Sequence, residues 1–159
     1  MREFDTIGLR LATEQAEVFE ASSEALNSSS EIFIKNFMHS NYVKRFDDLT
    51  IINYPFTIND AFEEYHIEYP NDRGNIKYTT DELYWIGYIY RYWSYIYEKS
   101  SKEIYKTIKP GELRGLYFSY HTLDPKGAID RILESKGIDY NDQIKRGIEI
   151  YREILNREK

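Results

Sequence analysis

Cysteine is absent from this chain, which removes disulfides, thiolate zinc sites, iron–sulfur clusters and cysteine nucleophiles together. Histidine is scarce. His39, His66 and His121 are the three present, and none lies three or four residues from another, so no H-E-x-x-H or similar metal spacing occurs. Glycines are scattered singly, which leaves no Walker loop, G-x-G-x-x-G or G-x-S-x-G turn. Long apolar runs are missing too. The most apolar stretch, Leu83 to Tyr97, contains Arg91 and several tyrosines, and it falls short of the roughly 20 apolar residues of a membrane span. The opening Met1-Arg2-Glu3-Phe4-Asp5-Thr6 shows no basic region ahead of an apolar one, so the expectation is a soluble cytoplasmic protein with no membrane association. A net charge of −6 argues against nucleic acid as the partner.

What the chain has in excess is tyrosine: 16 Tyr against 8 Phe and 2 Trp in 159 residues. A single domain of this length buries roughly 68–70% of its unfolded surface, enough for a core without covalent staples. No internal repeat or low-complexity linker divides it, so one helical domain over 1–159 is expected.

Helix punctuation recurs along the chain. Ser28 with Glu31, Thr79 with Glu82 and Ser100 with Glu103 fit the S/T-x-x-E capping box, in which the hydroxyl and the carboxylate each satisfy an orphan amide. Pro110 and Pro125 suit first helical positions, where the missing N–H costs nothing, and Asp124 is a suitable N-cap. Helices are expected over Leu9–Leu26, Glu31–Ser40, Ile58–Ile67, Thr80–Lys99, Ser101–Ile108, Gly111–Tyr120, Pro125–Lys136 and Asn141–Asn156. A shorter turn covers Asn41–Asp47, Ile51–Pro55 is an extended or irregular link, and Gly137 ends the penultimate helix. The fold expected is therefore an all-α bundle of about seven helices around the central Tyr/Trp-rich one. The alternative to complete helicity is a small hairpin near 65–79, where Tyr65–Tyr69 and Asn75–Thr79 flank a Gly turn.

In the central helix Leu83, Ile86, Tyr90, Trp93 and Tyr97 share one face and Trp85, Ile89, Tyr92 and Ile96 the next. A helix apolar all round is surrounded by others, and tyrosine suits it because the ring packs while the hydroxyl finds a partner. Rings left exposed would instead form a protein-binding surface. Arg91 is the one charge in the run. It either pairs with a carboxylate, Asp124 or Glu112 for example, or stacks on rings or waits for an anionic ligand.

Charge is uneven along the chain. Residues 1–78 hold 7 basic and 14 acidic side chains, and residues 79–159 hold 14 and 13. Glu14, Glu17, Glu20 and Glu24 repeat on one helix face, as do Lys99, Lys102, Lys106 and Lys109. Such ridges are solvated faces, internal partners, or steering surfaces. The densest gathering of functional groups is Arg114 to Pro125, which includes Tyr117, Tyr120, His121 and Asp124. There His121 offers a base and Asp124 an orienting carboxylate, although a cap explains Asp124 as well.

Three segments, Ser29–Met38, Glu82–Trp93 and Lys109–Tyr117, resemble small proteins of Gram-positive gut bacteria encoded in toxin–antitoxin-like loci beside ADP-ribosyltransferase-type toxins. The resemblance implies an antitoxin or accessory role and carries no catalytic residues with it. The expected function is thus non-enzymatic binding and occlusion of a protein partner, a toxin, without metal or cofactor. Its surface would comprise Tyr88, Arg91, Tyr95, Arg114, Tyr117, Tyr120 and His121. The alternative is a small-molecule or nucleotide pocket where Arg91 meets Arg114–Asp124.

Overall fold

The computed structural model describes residues 1–158. It is all helical, with no strand among the described residues. Among the described residues nine α-helices follow in chain order: α1 Thr6–Ala25, α2 Ser30–His39, α3 Asn41–Asp47, α4 Ile58–Glu68, α5 Thr80–Tyr97, α6 Ser101–Thr107, α7 Pro110–Tyr120, α8 Pro125–Lys136 and α9 Tyr140–Arg157. A short 3-10 helix, Thr50–Asn53, follows α3. The count exceeds the expected seven: all eight segments expected as helices form, and Asn41–Asp47, expected as a shorter turn, completes a true helix. Among the described residues no helix is long and apolar enough to cross a membrane.

The chain forms two compact units, Met1–Pro125 and Lys126–Lys159. In the first, α5 is the centre. Twelve of its residues are buried, from Leu83 to Ile96. It starts on a complete capping box: Thr79 Oγ1 accepts from Glu82 N at 3.2 Å, and Thr79 N donates to the Glu82 carboxylate at 3.0 Å. α1 packs along α5 more extensively than any other pair of helices in the fold. Gly87 makes this approach possible, since a Cβ there would lie 2.8 Å from the Phe19 ring and 3.0 Å from Ala16 Cα. Gln15, fully buried, donates to the Gly87 carbonyl at 3.1 Å.

Aromatic side chains join α1 to α2 and α4. Phe19, Phe33 and Phe37 meet at centroid distances of 5.2–5.6 Å, and Tyr65 joins Phe33 at 5.1 Å. Such pairs add about 0.5–1.5 kcal/mol each beyond the area they bury. Tyr90 shows how tyrosine serves in a core: its ring is fully buried and its hydroxyl donates to Ile108 O at 2.7 Å.

Two local expectations are corrected. The cap of α2 is Ser29, which accepts from Ile32 N, and Ser28 is a buried neighbour one residue too early. The hairpin near 65–79 does not form. Tyr65 to Glu68 belong to the last turn of α4, closed by Tyr69 N donating to Tyr65 O. The following segment pairs with the α1–α2 link instead: Gly74 N donates to Asn27 O, Ser30 N to Ile76 O and Tyr78 N to Ser30 Oγ, all at 2.9–3.0 Å. At φ 148°, with Ser29 atoms 2.9 Å from where a Cβ would stand, position 74 accepts only glycine without strain.

In the second unit α8 buries Ala128, Ile129, Ile132 and Leu133. Gly137, at φ 65°, ends it as a left-handed C′ residue. Asp139 then caps α9 by accepting from Asn141 N at 2.8 Å. No residue of α9 is buried.

Candidate functional site

Arg91 decides which surface is available. It points inward from α5 and is 1% exposed. Its Nη1 donates to Asp47 Oδ1 at 2.7 Å and to Ser94 Oγ at 3.2 Å, and its Nε donates to Gln15 Oε1 at 2.9 Å. Nη2 donates to Ser101 Oγ, whose hydroxyl in turn donates to Asp47 at 2.7 Å. The Phe46 ring lies 5.4 Å beneath the guanidinium. Burial draws the Arg91 pKa below the usual guanidinium range, while the adjacent Asp47 carboxylate opposes the shift. Its partner is Asp47 at the end of α3, not Asp124 or Glu112, and its donors are used in joining α1, α3, α5 and α6. Arg91 therefore contributes to packing. Tyr95 is likewise 5% exposed. Its hydroxyl donates to Asp5 at 2.7 Å, and Arg2 lies over its ring at 4.5 Å.

Arg114 faces away from both. It pairs with Glu82 at 3.1 Å and lies 4.3 Å over the Tyr78 ring. The cavity beside Arg91 is lined by residues of α3, α5 and α6, by Asp48, Leu49 and the 98–100 link, and by Arg2, none from Arg114–Asp124. Neither the cavity beside Arg91 nor the groove beside Tyr117 joins Arg91 to Arg114.

Three of the expected residues do come together. Tyr88 on α5, Tyr117 on α7 and His121 at the C-cap of α7 line an open groove of about 540 Å³ with Tyr84, Trp85, Leu123 and Pro125. Glu20 of α1 and Asp81 of α5 stand at its edge. Tyr84, Tyr88 and Tyr92 recur every four residues, which places one ring above the next on a helix, and their rings stack at 6.3–6.5 Å. His121 stacks on Tyr117 at 4.4 Å, and Trp85 meets the same tyrosine edge-on at 5.9 Å. His121 Nδ1 lies 2.7 Å from Tyr117 O, so a main-chain carbonyl orients the imidazole. Phe118, on the next position of α7, is 88% exposed.

The rim is electronegative. The Tyr84 hydroxyl titrates above the usual tyrosine range, first because of burial and then because of Glu17 and Glu20. Tyr88 moves the same way through burial, its neighbours Tyr84 and Tyr92, and Asp124. An aromatic floor with an acidic edge holds an apolar anchor and attracts a neighbouring cation. Trp85 lies on an apolar face of α5 and is only 9% exposed, while Tyr84 is half-buried; that both line the groove follows from how α7 packs on α5, which the helical period does not show. Tyr120 is half-buried on α7 and does not line the groove.

A second, larger cleft of about 760 Å³ lies between the ends of α1 and α4 and the 69–77 segment. Its polar groups serve the fold. Lys77 Nζ donates to Leu26 O and Ser28 O at 2.6 Å each, holding the C-terminal end of α1, where a cation is favoured. Asp72 accepts from Asn36 at 2.6 Å and from the Tyr65 hydroxyl. Among the described residues no group of three or more His, Cys, Asp or Glu side chains could hold a metal ion. No family model, curated protein or solved structure matches this chain, so the groove is interpreted from its own chemistry.

Proposed function

We propose that this chain is a non-enzymatic protein-binding component that acts by covering its partner, and that the partner is the toxin of a bacterial toxin–antitoxin locus. One observation supports binding above all: an open groove floored by Tyr84, Trp85, Tyr88 and Tyr117. Tyrosine and tryptophan are the residues that most often dominate binding energy at protein interfaces, because they offer large, rigid area at low entropic cost. The acidic edge, with the exposed Glu17 and Glu20 of α1, favours a partner that presents an apolar side chain beside basic ones, and it raises the rate of encounter with such a surface. The toxin as partner rests on the resemblance of the three segments named above.

The test is co-expression with the product of the adjacent gene. The wild-type chain is expected to capture that product and restore growth. Tyr88→Ser, at a half-exposed position, is expected to reduce capture at least tenfold (about 1.4 kcal/mol or more) with unchanged helicity by circular dichroism. No complex and no rescue with the wild-type chain would rule out the proposal.

A further inference from the structure

α9 presents a second surface that the groove does not account for. Ile144, Ile148, Tyr151 and Leu155 are separated by four, three and four residues, the spacing that forms one stripe along a helix. They are 63%, 46%, 63% and 42% exposed, and Ile154 beside them is 47% exposed. The stripe is about 16 Å long at 1.5 Å per residue. Lys145 and Arg152, seven residues apart, flank one edge of it, while Asp142, Glu149 and Glu153 lie farther round the helix. An apolar stripe with a basic border is the chemical complement of an aromatic groove with an acidic border. The groove of Tyr84, Trp85, Tyr88 and Tyr117 is edged by Glu20 and Asp81.

We propose that α9 of one copy docks in the aromatic groove of a second copy, and that the exchange is reciprocal, giving a two-fold dimer. The proposal rests on the groove being a docking surface, as argued above. Charge favours this occupant over direct α9–α9 pairing. In an antiparallel pair of α9 helices the Lys145 and Arg152 borders face each other, and like charges across a seam destabilise it. In the groove the same two cations meet Glu20 and Asp81. Two-fold exchange closes the assembly and doubles an area that one helix face alone would leave below the roughly 1,200–2,000 Å² of a stable interface. The dimer hides the surface that a protein partner needs, so partner and dimer compete.

Sedimentation of the purified full chain over a concentration series tests this. A dimer is expected for the wild type. Lys145→Glu with Arg152→Glu, and separately Glu20→Lys with Asp81→Lys, are each expected to weaken it at least tenfold. All four together are expected to restore it to within about threefold. These side chains are exposed, and helicity by circular dichroism checks that the fold is kept. A monomeric wild type overturns the proposal, including the case of α9 seated on its own chain. A dimer insensitive to the Glu20 and Asp81 reversals, as α9–α9 pairing would give, overturns it too. Partner capture by a strictly monomeric chain removes this inference and leaves the docking groove standing. A charge-sensitive dimer that never captures the partner removes the toxin-binding function and leaves the dimer.

Discussion

Asp47 does more for the fold than its 18% side-chain exposure suggests. It neutralises a fully buried guanidinium, accepts from Ser101 N at 3.0 Å at the start of α6, and accepts from the Ser101 hydroxyl. Removing one member of a buried pair strands the other charge in a low dielectric. Asp47→Ala is therefore expected to destabilise the chain by about 3–5 kcal/mol, measured by urea or thermal unfolding. Arg91→Met in the same background should recover part of the loss, because the stranded charge goes with it. If Asp47→Ala leaves the midpoint unchanged, Arg91 is satisfied by other groups and the account of this network is wrong. The sequence showed Arg91 as unusual and allowed a carboxylate partner. It did not show which one, because Asp47 lies 44 positions away in sequence and only the folded chain brings the end of α3 to Arg91.

At the scale of elements, the long helices were readable but their caps only in part: Asp5 of α1 and Asp139 of α9 were not anticipated. Thr79 with Glu82 closes the box expected of it, and Ser100 caps α6 by accepting from Glu103 N. The α2 cap was misplaced by one residue because both Ser28 and Ser29 are chemically competent; backbone geometry selects Ser29, at φ −63° and ψ 153°. The close approach of α1 to α5 was not readable from either helix alone. It depends on Gly87 facing Phe19, Ala16 and Gln15. Gly87→Ala gains helix propensity of up to about 1 kcal/mol, yet its methyl overlaps packed atoms that include backbone. The expected net result is a loss of about 1–3 kcal/mol, visible as a lower thermal midpoint. A gain in stability would show that the two helices can separate at little cost.

Over the whole molecule, tyrosine sets the response to alkali. Burial raises the hydroxyl pKa of Tyr42, Tyr65, Tyr78 and Tyr90 above the usual tyrosine range, with nearby carboxylates adding to the shift. A folded-state pKa raised above the unfolded value of about 10 stabilises fully below that pH and is lost as pH climbs toward the folded value. Stability is thus expected to fall above about pH 10. Tyrosinate absorbance should appear in two stages, exposed rings first and buried ones in a step that coincides with loss of helicity. A single smooth titration of all 16 tyrosines with helicity intact would contradict the packing described. By itself the sequence determined the helical class, the position of the central helix with its capping box, and the absence of thiol chemistry, because propensity, periodicity and capping are local. The tertiary structure alone decided which tyrosines became core and which became groove, that Arg91 was spent on Asp47, and that Tyr88, Tyr117 and His121 share a surface while Arg114 and Tyr95 do not. Those outcomes depend on the rotation and crossing of helices far apart in the chain, which no local pattern encodes.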